Sequence, residues 1–77
     1  LARYNILVNS VSPGVINTGL TKKILNSRET KKIKKEIPLN KLGEASDVSN
    51  LVCFLCSSLN NYITGQNFII DGGYTSK

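Results

Sequence analysis

Residues 8–18 read Val8-Asn9-Ser10-Val11-Ser12-Pro13-Gly14-Val15-Ile16-Asn17-Thr18, and this stretch decides the fold. From Ile6 to Val11 the chain is β-rich and mostly apolar, which predicts a parallel strand covered on both faces. Pro13 has no N–H to give to a central ladder, so the strand ends there. Gly14 permits a turn or a close approach by a ligand. Asn67-Phe68-Ile69-Ile70 reads as a second such strand, and Asp71-Gly72-Gly73 releases the chain from it. Helical segments lie between the two. Strand, helical crossover and strand make a βαβ unit, with parallel strands and a right-handed connection. The predicted fold class is therefore α/β. In open parallel sheets ligands bind beyond the carboxyl ends of the strands, which makes residues 12–18 the natural ligand contacts.

Working outward, Leu1 to Tyr4 read as the last turn of a helix, with Asn5 as its left-handed cap. Thr18 or Thr21 can cap a short helix carrying Leu20, Ile24 and Leu25. Asn26 and Glu29 have capping-box spacing, so a second helix starts near Ser27, carries Ile33 and Ile37, and is stopped by Pro38. Residues 40–43 are a loop. Val48, Leu51, Val52, Leu55 and Leu59 mark the clearest helix. Glu44 and Asp47 sit at its positive end, and Asn60 and Asn61 end it. Thr64-Gly65-Gln66 is a turn.

A length of 77 residues bounds the chain to one small domain or a piece of a larger one. An apolar share of 40% with only 2 prolines argues for a folded segment. Leu1 is not an initiator methionine and no cap or strand signal opens the chain, so continuation from an upstream segment is expected. No run approaches the roughly eighteen apolar residues of a membrane span, so no membrane partner is expected. Cys53 and Cys56 form C-x-x-C, but a zinc site needs four ligands, and the chain has no histidine and no further cysteine. No metal site is expected. Both cysteines fall in an apolar helical pattern, where free thiols act as small hydrophobes, in keeping with a reduced, cytoplasmic protein.

The net charge of +5 is local. Lys22, Lys23, Arg28, Lys31, Lys32, Lys34 and Lys35 crowd residues 22–35, opposed there by Glu29 alone. Such a cluster can attract nucleic acid or an acidic partner. No aromatic residue is interleaved and no base-reading motif accompanies it, so a solvated helical face is the expectation and no nucleic-acid partner is assigned. Chemistry is also thin. Without histidine, and with scattered acids, Ser10, Ser12 and Thr18 have no base to activate them. No catalytic residue is assigned within this chain.

Three segments resemble one family. Asn5-Ile6-Leu7-Val8-Asn9-Ser10-Val11-Ser12-Pro13-Gly14 is similar to the "G-I-x-V-N-x-V-x-P-G" segment of short-chain dehydrogenases/reductases. Ile37-Pro38-Leu39-Asn40-Lys41-Leu42-Gly43 is similar to their "P-L-x-R-x-G" loop, with Lys41 in place of the usual arginine. Tyr62-Ile63-Thr64-Gly65-Gln66 through Asp71-Gly72-Gly73 resembles their "Y-I-T-G-Q-x-x-x-V-D-G-G" ending. The 3-oxoacyl-[acyl-carrier-protein] reductase type is nearest in flavour.

The resemblance implies the C-terminal βαβ part of a Rossmann-like doubly wound parallel sheet, with residues 1–77 the end of one NAD(P)-binding domain. It implies hydride transfer between NAD or NADP and a carbonyl or alcohol, free or linked to an acyl carrier. The family's Tyr-x-x-x-Lys pair is not here: Val8 follows Tyr4 at that spacing, Gln66 follows Tyr62, and Tyr74 is only three residues from Lys77. That pair and the glycine-rich phosphate turn are expected upstream, so this chain alone is expected to be inactive. By the same resemblance Pro13 and Gly14 would pass beside the nicotinamide. Ile16 would offer its backbone N–H and C=O to the carboxamide, and Thr18 its hydroxyl to the carboxamide or a nearby phosphate. Asn9 is expected to bond neighbouring backbone. Residues 20–36 match a mobile lid over the substrate, and its lysines would suit an anionic carrier. A homo-tetramer is implied, with Cys53 and Phe54 facing a partner. A second reading is a small self-contained α/β module that binds an acidic partner through its basic segment.

Overall fold

The computed structural model describes residues 1–76; Lys77, and with it the Tyr74–Lys77 spacing, lies outside the described residues. Two parallel strands, β1 (Ser10–Pro13) and β2 (Asn67–Ile70), form the sheet, with Ser10 opposite Asn67 and Pro13 opposite Ile70. Three helices occupy the crossover: α1 (Gly19–Ile24), α2 (Ser27–Glu36) and α3 (Ala45–Leu55). Short 3-10 turns stand at Ala2–Tyr4 and Tyr74–Ser76. The expected α/β class and parallel pairing are both present.

β1 begins later than the apolar run. The Ile6 N–H turns back to the Leu1 carbonyl at 3.3 Å, and Val8 and Asn9 meet side chains and a turn in place of a ladder. The Val8 N–H donates to Thr64 Oγ1 at 2.9 Å, the Gly65 N–H to the Val8 carbonyl at 2.7 Å, and the Gln66 N–H to Asn9 Oδ1 at 3.1 Å. Asn9 Nδ2 donates to the Ile63 carbonyl at 2.9 Å, the backbone role expected of it. Gly65, at φ +73°, turns the segment before β2 away, so regular pairing starts only at Ser10. Pro13 closes the strand. Ser10 and Gly14 both donate toward β2, to the Gln66 and Ile70 carbonyls at 2.9 and 2.8 Å. By alternation the Pro13 nitrogen faces the opposite edge, and the β1–β2 ladder loses nothing.

The helices start where capping chemistry places them. Thr18 Oγ1 accepts from the Thr21 N–H at 3.2 Å and opens α1. Asn26 and Glu29 exchange reciprocal bonds, with the Glu29 N–H on Asn26 Oδ1 at 2.8 Å, and open α2. The Glu44 N–H donates to Asp47 Oδ2 at 2.7 Å at the start of α3. The end of α3 differs from the expectation: it stops at Leu55, not at Asn60. Ser57 diverts the last turn, donating its hydroxyl to the Phe54 carbonyl at 2.8 Å and accepting from the Leu59 N–H at 3.2 Å. Asn60 Nδ2 then takes the Leu55 carbonyl at 3.1 Å, and Leu59 is left exposed.

The sheet is covered on one face. Val11 lines a common hollow with Val52 and Leu55 of α3. The opposite face carries Ser10, Ser12, Asn67 and Ile69, and Ile69 is 54% exposed. Cover on both faces is therefore not what the described residues provide, because the helices other than α3 gather toward the carboxyl edge. Cys53 and Cys56 are likewise exposed free thiols rather than packed ones: Cys53 stays open to solvent, and Cys56, just past α3, borders the unfilled hollow it shares with Val11, Val52 and Leu55. The apolar core is small: Ile37 and Leu42 are buried at 5% and 9% exposure. The chain exposes 6103 Å², against roughly 4,600 Å² for a self-contained fold of its mass. No helix among the described residues is long and apolar enough to cross a membrane.

Candidate functional site

Parallel pairing brings the carboxyl ends of both strands to one edge, where Pro13 stands opposite Ile70. The chain leaving β1 is held there by the loop before α3. The Gly43 N–H donates to the Val15 carbonyl at 3.0 Å, and the Asn17 N–H to the Gly43 carbonyl at 2.7 Å, a parallel bridge between Ile16 and Gly43. In such a bridge the N–H and C=O of Ile16 itself point away from Gly43. A Cβ on Gly43 would lie 2.8 Å from Ile16 Cδ1, the far end of a flexible side chain, so glycine here lets Ile16 lie closer without being required by the backbone.

The four expected contacts fall into two groups. Pro13 and Gly14 border a hollow of about 510 Å³ with Ser12, Ile33, Ile69 and Tyr74, beneath α2. A Cβ on Gly14 would meet Asp71 Cβ at 2.8 Å and Asp71 Cα at 3.0 Å. The crossing of the two chains therefore already demands glycine at this position, with no ligand involved. Ile16 and Thr18 lie further along and meet at Thr21. Thr21 Oγ1 donates to the Ile16 carbonyl at 2.6 Å and stands 3.2 Å from Thr18 Oγ1. Among the described residues no acceptor meets the Ile16 N–H.

Asn17 is turned to the other side, where its amide donates to Glu44 Oε1 at 3.3 Å. It lines a hollow with Lys34, Lys41, Glu44 and Asp47, in which charges of both signs balance. Arg28, Lys31, Lys32 and Lys35 instead crowd one outer face of α2. Lys41, in the arginine position, is exposed.

Sequence reasoning gave no site role to three residues. Thr21 reads in the sequence only as a possible cap, and its link to Ile16 is a tertiary fact with no local signature. Gly43 lay in a recognised loop, but its partner was invisible. Asp71 closes the edge: its carboxylate accepts from the Gly73 N–H at 2.9 Å and the Thr75 N–H at 3.0 Å. Bonds from the Thr75 N–H, and next from the Thr75 side chain, hold its pKa below the ordinary carboxylate value.

Helices crossing between parallel strands, with free backbone polarity at the carboxyl edge, define an α/β ligand-binding fold. Residues 1–75 match the family model described as enoyl-(acyl carrier protein) reductase, and the chain belongs to the short-chain dehydrogenase/reductase family, of which it represents the C-terminal portion. It is 45% identical over 73 residues to a 3-oxoacyl-[acyl-carrier-protein] reductase of Aquifex aeolicus, covering 95% of this chain and 29% of that protein. It is 47% identical over 75 residues to a tropinone reductase homolog of Arabidopsis thaliana, covering 96% of this chain and 28% of that one. A solved 4-hydroxyisoleucine dehydrogenase complexed with NADH superposes with a TM-score of 0.89 at 40% identity, over 99% of this chain and 32% of its own. ElxO with NADP bound gives 0.87 at 40% identity, over 99% and 32%. The chain thus spans about three tenths of the length of these relatives.

Proposed function

We propose that this chain is the nicotinamide end of an NAD(P)-dependent oxidoreductase, the closing part of one Rossmann-like domain whose phosphate turn and Tyr-x-x-x-Lys pair lie upstream. The observation that carries the reading is the Ile16 backbone. Its N–H has no acceptor among the described residues and its carbonyl, engaged once by Thr21, keeps a second lone pair. A carboxamide has one acceptor and one donating NH2, which fits that donor and acceptor side by side. Thr18 stands beside them, and Pro13 and Gly14 form the turn along which the ring would lie. When bound, the cofactor supplies or takes the hydride exchanged with a carbonyl carbon. The residues of this chain hold one face of its ring toward the substrate, which is orientation rather than bond-making.

The names of the relatives span a 3-oxoacyl-[acyl-carrier-protein] reductase and a tropinone reductase homolog, so the reading keeps to a carbonyl or alcohol substrate, with an acyl-carrier-linked one as the finer proposal. The basic outer face of α2 supports an anionic carrier. NADH and NADP each occur in a solved relative, and the cofactor here is NAD or NADP. The proposal includes a cytoplasmic homo-tetramer in which exposed Cys53 and Phe54 of α3 meet a partner. A self-contained basic module is the weaker reading, since roughly 1,500 Å² of excess surface is more than a self-sufficient fold of this mass leaves open.

The test is expression of the complete reading frame. Dinucleotide binding and NAD(P)H-dependent reduction of a 3-oxoacyl thioester or a simpler ketone are expected, with the 77-residue chain inactive by itself. An upstream sequence without Tyr-x-x-x-Lys, or a complete protein that binds neither dinucleotide, overturns the reading.

A further inference from the structure

Thr21 is the hub of the Ile16–Thr18 group. Its hydroxyl oxygen lies 2.6 Å from the Ile16 carbonyl and 3.2 Å from Thr18 Oγ1, while its own N–H reaches Thr18 Oγ1 at 3.2 Å. Proton accounting fixes the direction of these bonds. A hydroxyl carries one proton, and a carbonyl can only accept. The Thr21 proton is therefore committed to Ile16. In the contact between the two hydroxyls Thr21 is then the acceptor and Thr18 the donor. Thr18 spends its proton on Thr21 and one lone pair on the Thr21 N–H, and what remains toward the site is its second lone pair.

We propose that Thr21 is a positioning residue for nicotinamide recognition: its hydroxyl sets the Ile16 carbonyl and the Thr18 oxygen as a pair of acceptors that read the carboxamide NH2. The inference rests on the reading of this edge as the nicotinamide end. It also narrows the role of Thr18, which meets the ligand as an acceptor and not as a donor to phosphate. The two acceptors face the two N–H bonds of the carboxamide, and the Ile16 N–H faces its oxygen. A ring substituent with a carbonyl but no NH2 keeps the last contact and loses the first two.

The experiment uses the complete protein, NAD(P)H, the 3-acetylpyridine analogue whose acetyl group lacks the NH2, and ADP-ribose or its 2′-phosphate, which lack the ring. The unaltered protein is expected to prefer nicotinamide over acetylpyridine. Thr21→Val is expected to weaken NAD(P)H binding by about fivefold to tenfold, the loss of one net hydrogen bond, and to flatten that preference. Binding of ADP-ribose should be unmoved, and Thr21→Ser, which restores the hydroxyl, should restore the preference. Thr21→Ala carries the same expectation as Thr21→Val should the larger side chain prevent folding. An undiminished preference in the hydroxyl-free variants, or equal loss of ADP-ribose binding, overturns the role of Thr21 and leaves the nicotinamide reading standing. Failure of the unaltered protein to bind any dinucleotide overturns both.

Discussion

The carboxyl edge of the sheet and its Ser10–Ile69 face are built to different degrees of completion. At the edge every close approach is answered within the chain. Ile37 packs against Gly72, the Leu39 N–H donates to the Gly72 carbonyl at 3.1 Å, Ile16 covers Gly43, and Asp71 ties the closing turn. On the face, Ile69 stays 54% exposed beside an unfilled hollow under α2, and the bonds of its three polar neighbours, Ser10 and Ser12 to Asn67 Oδ1 at 2.8 and 2.9 Å, run from strand to strand and reach no helix. The difference teaches that the geometry of the edge can be local while its scaffold is not. Short loops and glycines between neighbouring elements set the edge, whereas an apolar sheet face needs another layer to bury it.

The largest effect is expected where the edge is tightest. Gly72 has φ +64°, and a Cβ there would lie 2.7 Å from Cγ2 of the buried Ile37. Gly72→Ala combines the left-handed penalty of about 1–2 kcal/mol with overpacking of about 1–3 kcal/mol, so a loss of about 3 kcal/mol is expected in the complete protein. Gly65→Ala is the control. Gly65 has φ +73° but nothing within 4 Å of the new Cβ, so only the backbone penalty of about 1–2 kcal/mol applies. Urea midpoints of the two variants compare clash plus strain against strain alone. Equal losses would show that the edge is looser than its distances state.

The middle effect tests the bare face. Ile69→Ser should cost the complete protein about 2 kcal/mol, because a covering layer then buries the isoleucine. In the 77-residue chain, where Ile69 is already 54% exposed, the same change should leave stability unaltered and reduce self-association. Sedimentation of the short chain and a denaturant midpoint of the complete one give the two readings. A complete protein indifferent to Ile69→Ser would mean that nothing covers this face, and the contrast between edge and face would fall.

What the sequence made legible follows the same division. Caps are local: Thr18, Asn26 and the left-handed Asn5, at φ +63°, are where composition places them. The resemblance carried the family and the two-strand plan because those motifs are themselves the strand ends. What was missed is tertiary. The register that starts β1 at Ser10 depends on how Gly65 turns a chain fifty-five residues away. The early end of α3 depends on Ser57 winning over an apolar stripe that continues to Leu59. Asn60 reads as a helix stop, yet it is 6% exposed and binds the Leu55 carbonyl and both the N–H and C=O of Ile63, so it joins α3 to the approach to β2. Pro13, Gly14, Ile16 and Thr18 were placed at one edge as expected from strand polarity. Their division into two groups, with Thr21 at the centre of one, depends on side-chain bonds that no spacing encodes.

The smallest expected effect concerns how firmly the edge closes. Asp71 accepts from the Gly73 and Thr75 N–H groups with both oxygens at full strength as a carboxylate, and those bonds, that of Thr75 first, lower its pKa in the folded chain. A carboxyl group with a depressed folded-state pKa adds stability that is fully present above its ordinary range and is lost as pH falls through the depressed value. The Tyr74–Ser76 turn should therefore stay closed at neutral pH and through mildly acid solution, and loosen only below the ordinary aspartate range. Amide exchange at Gly73 and Thr75, followed by NMR as pH is lowered, reads this directly. Asp71→Asn keeps one of the two acceptor oxygens and loses the charge, so it should leave the turn weaker and indifferent to pH over that interval. Loss of protection at or above the ordinary range would show that the carboxylate does not hold the turn. The edge would then owe its closure to Gly72, Ile37 and Leu39 alone.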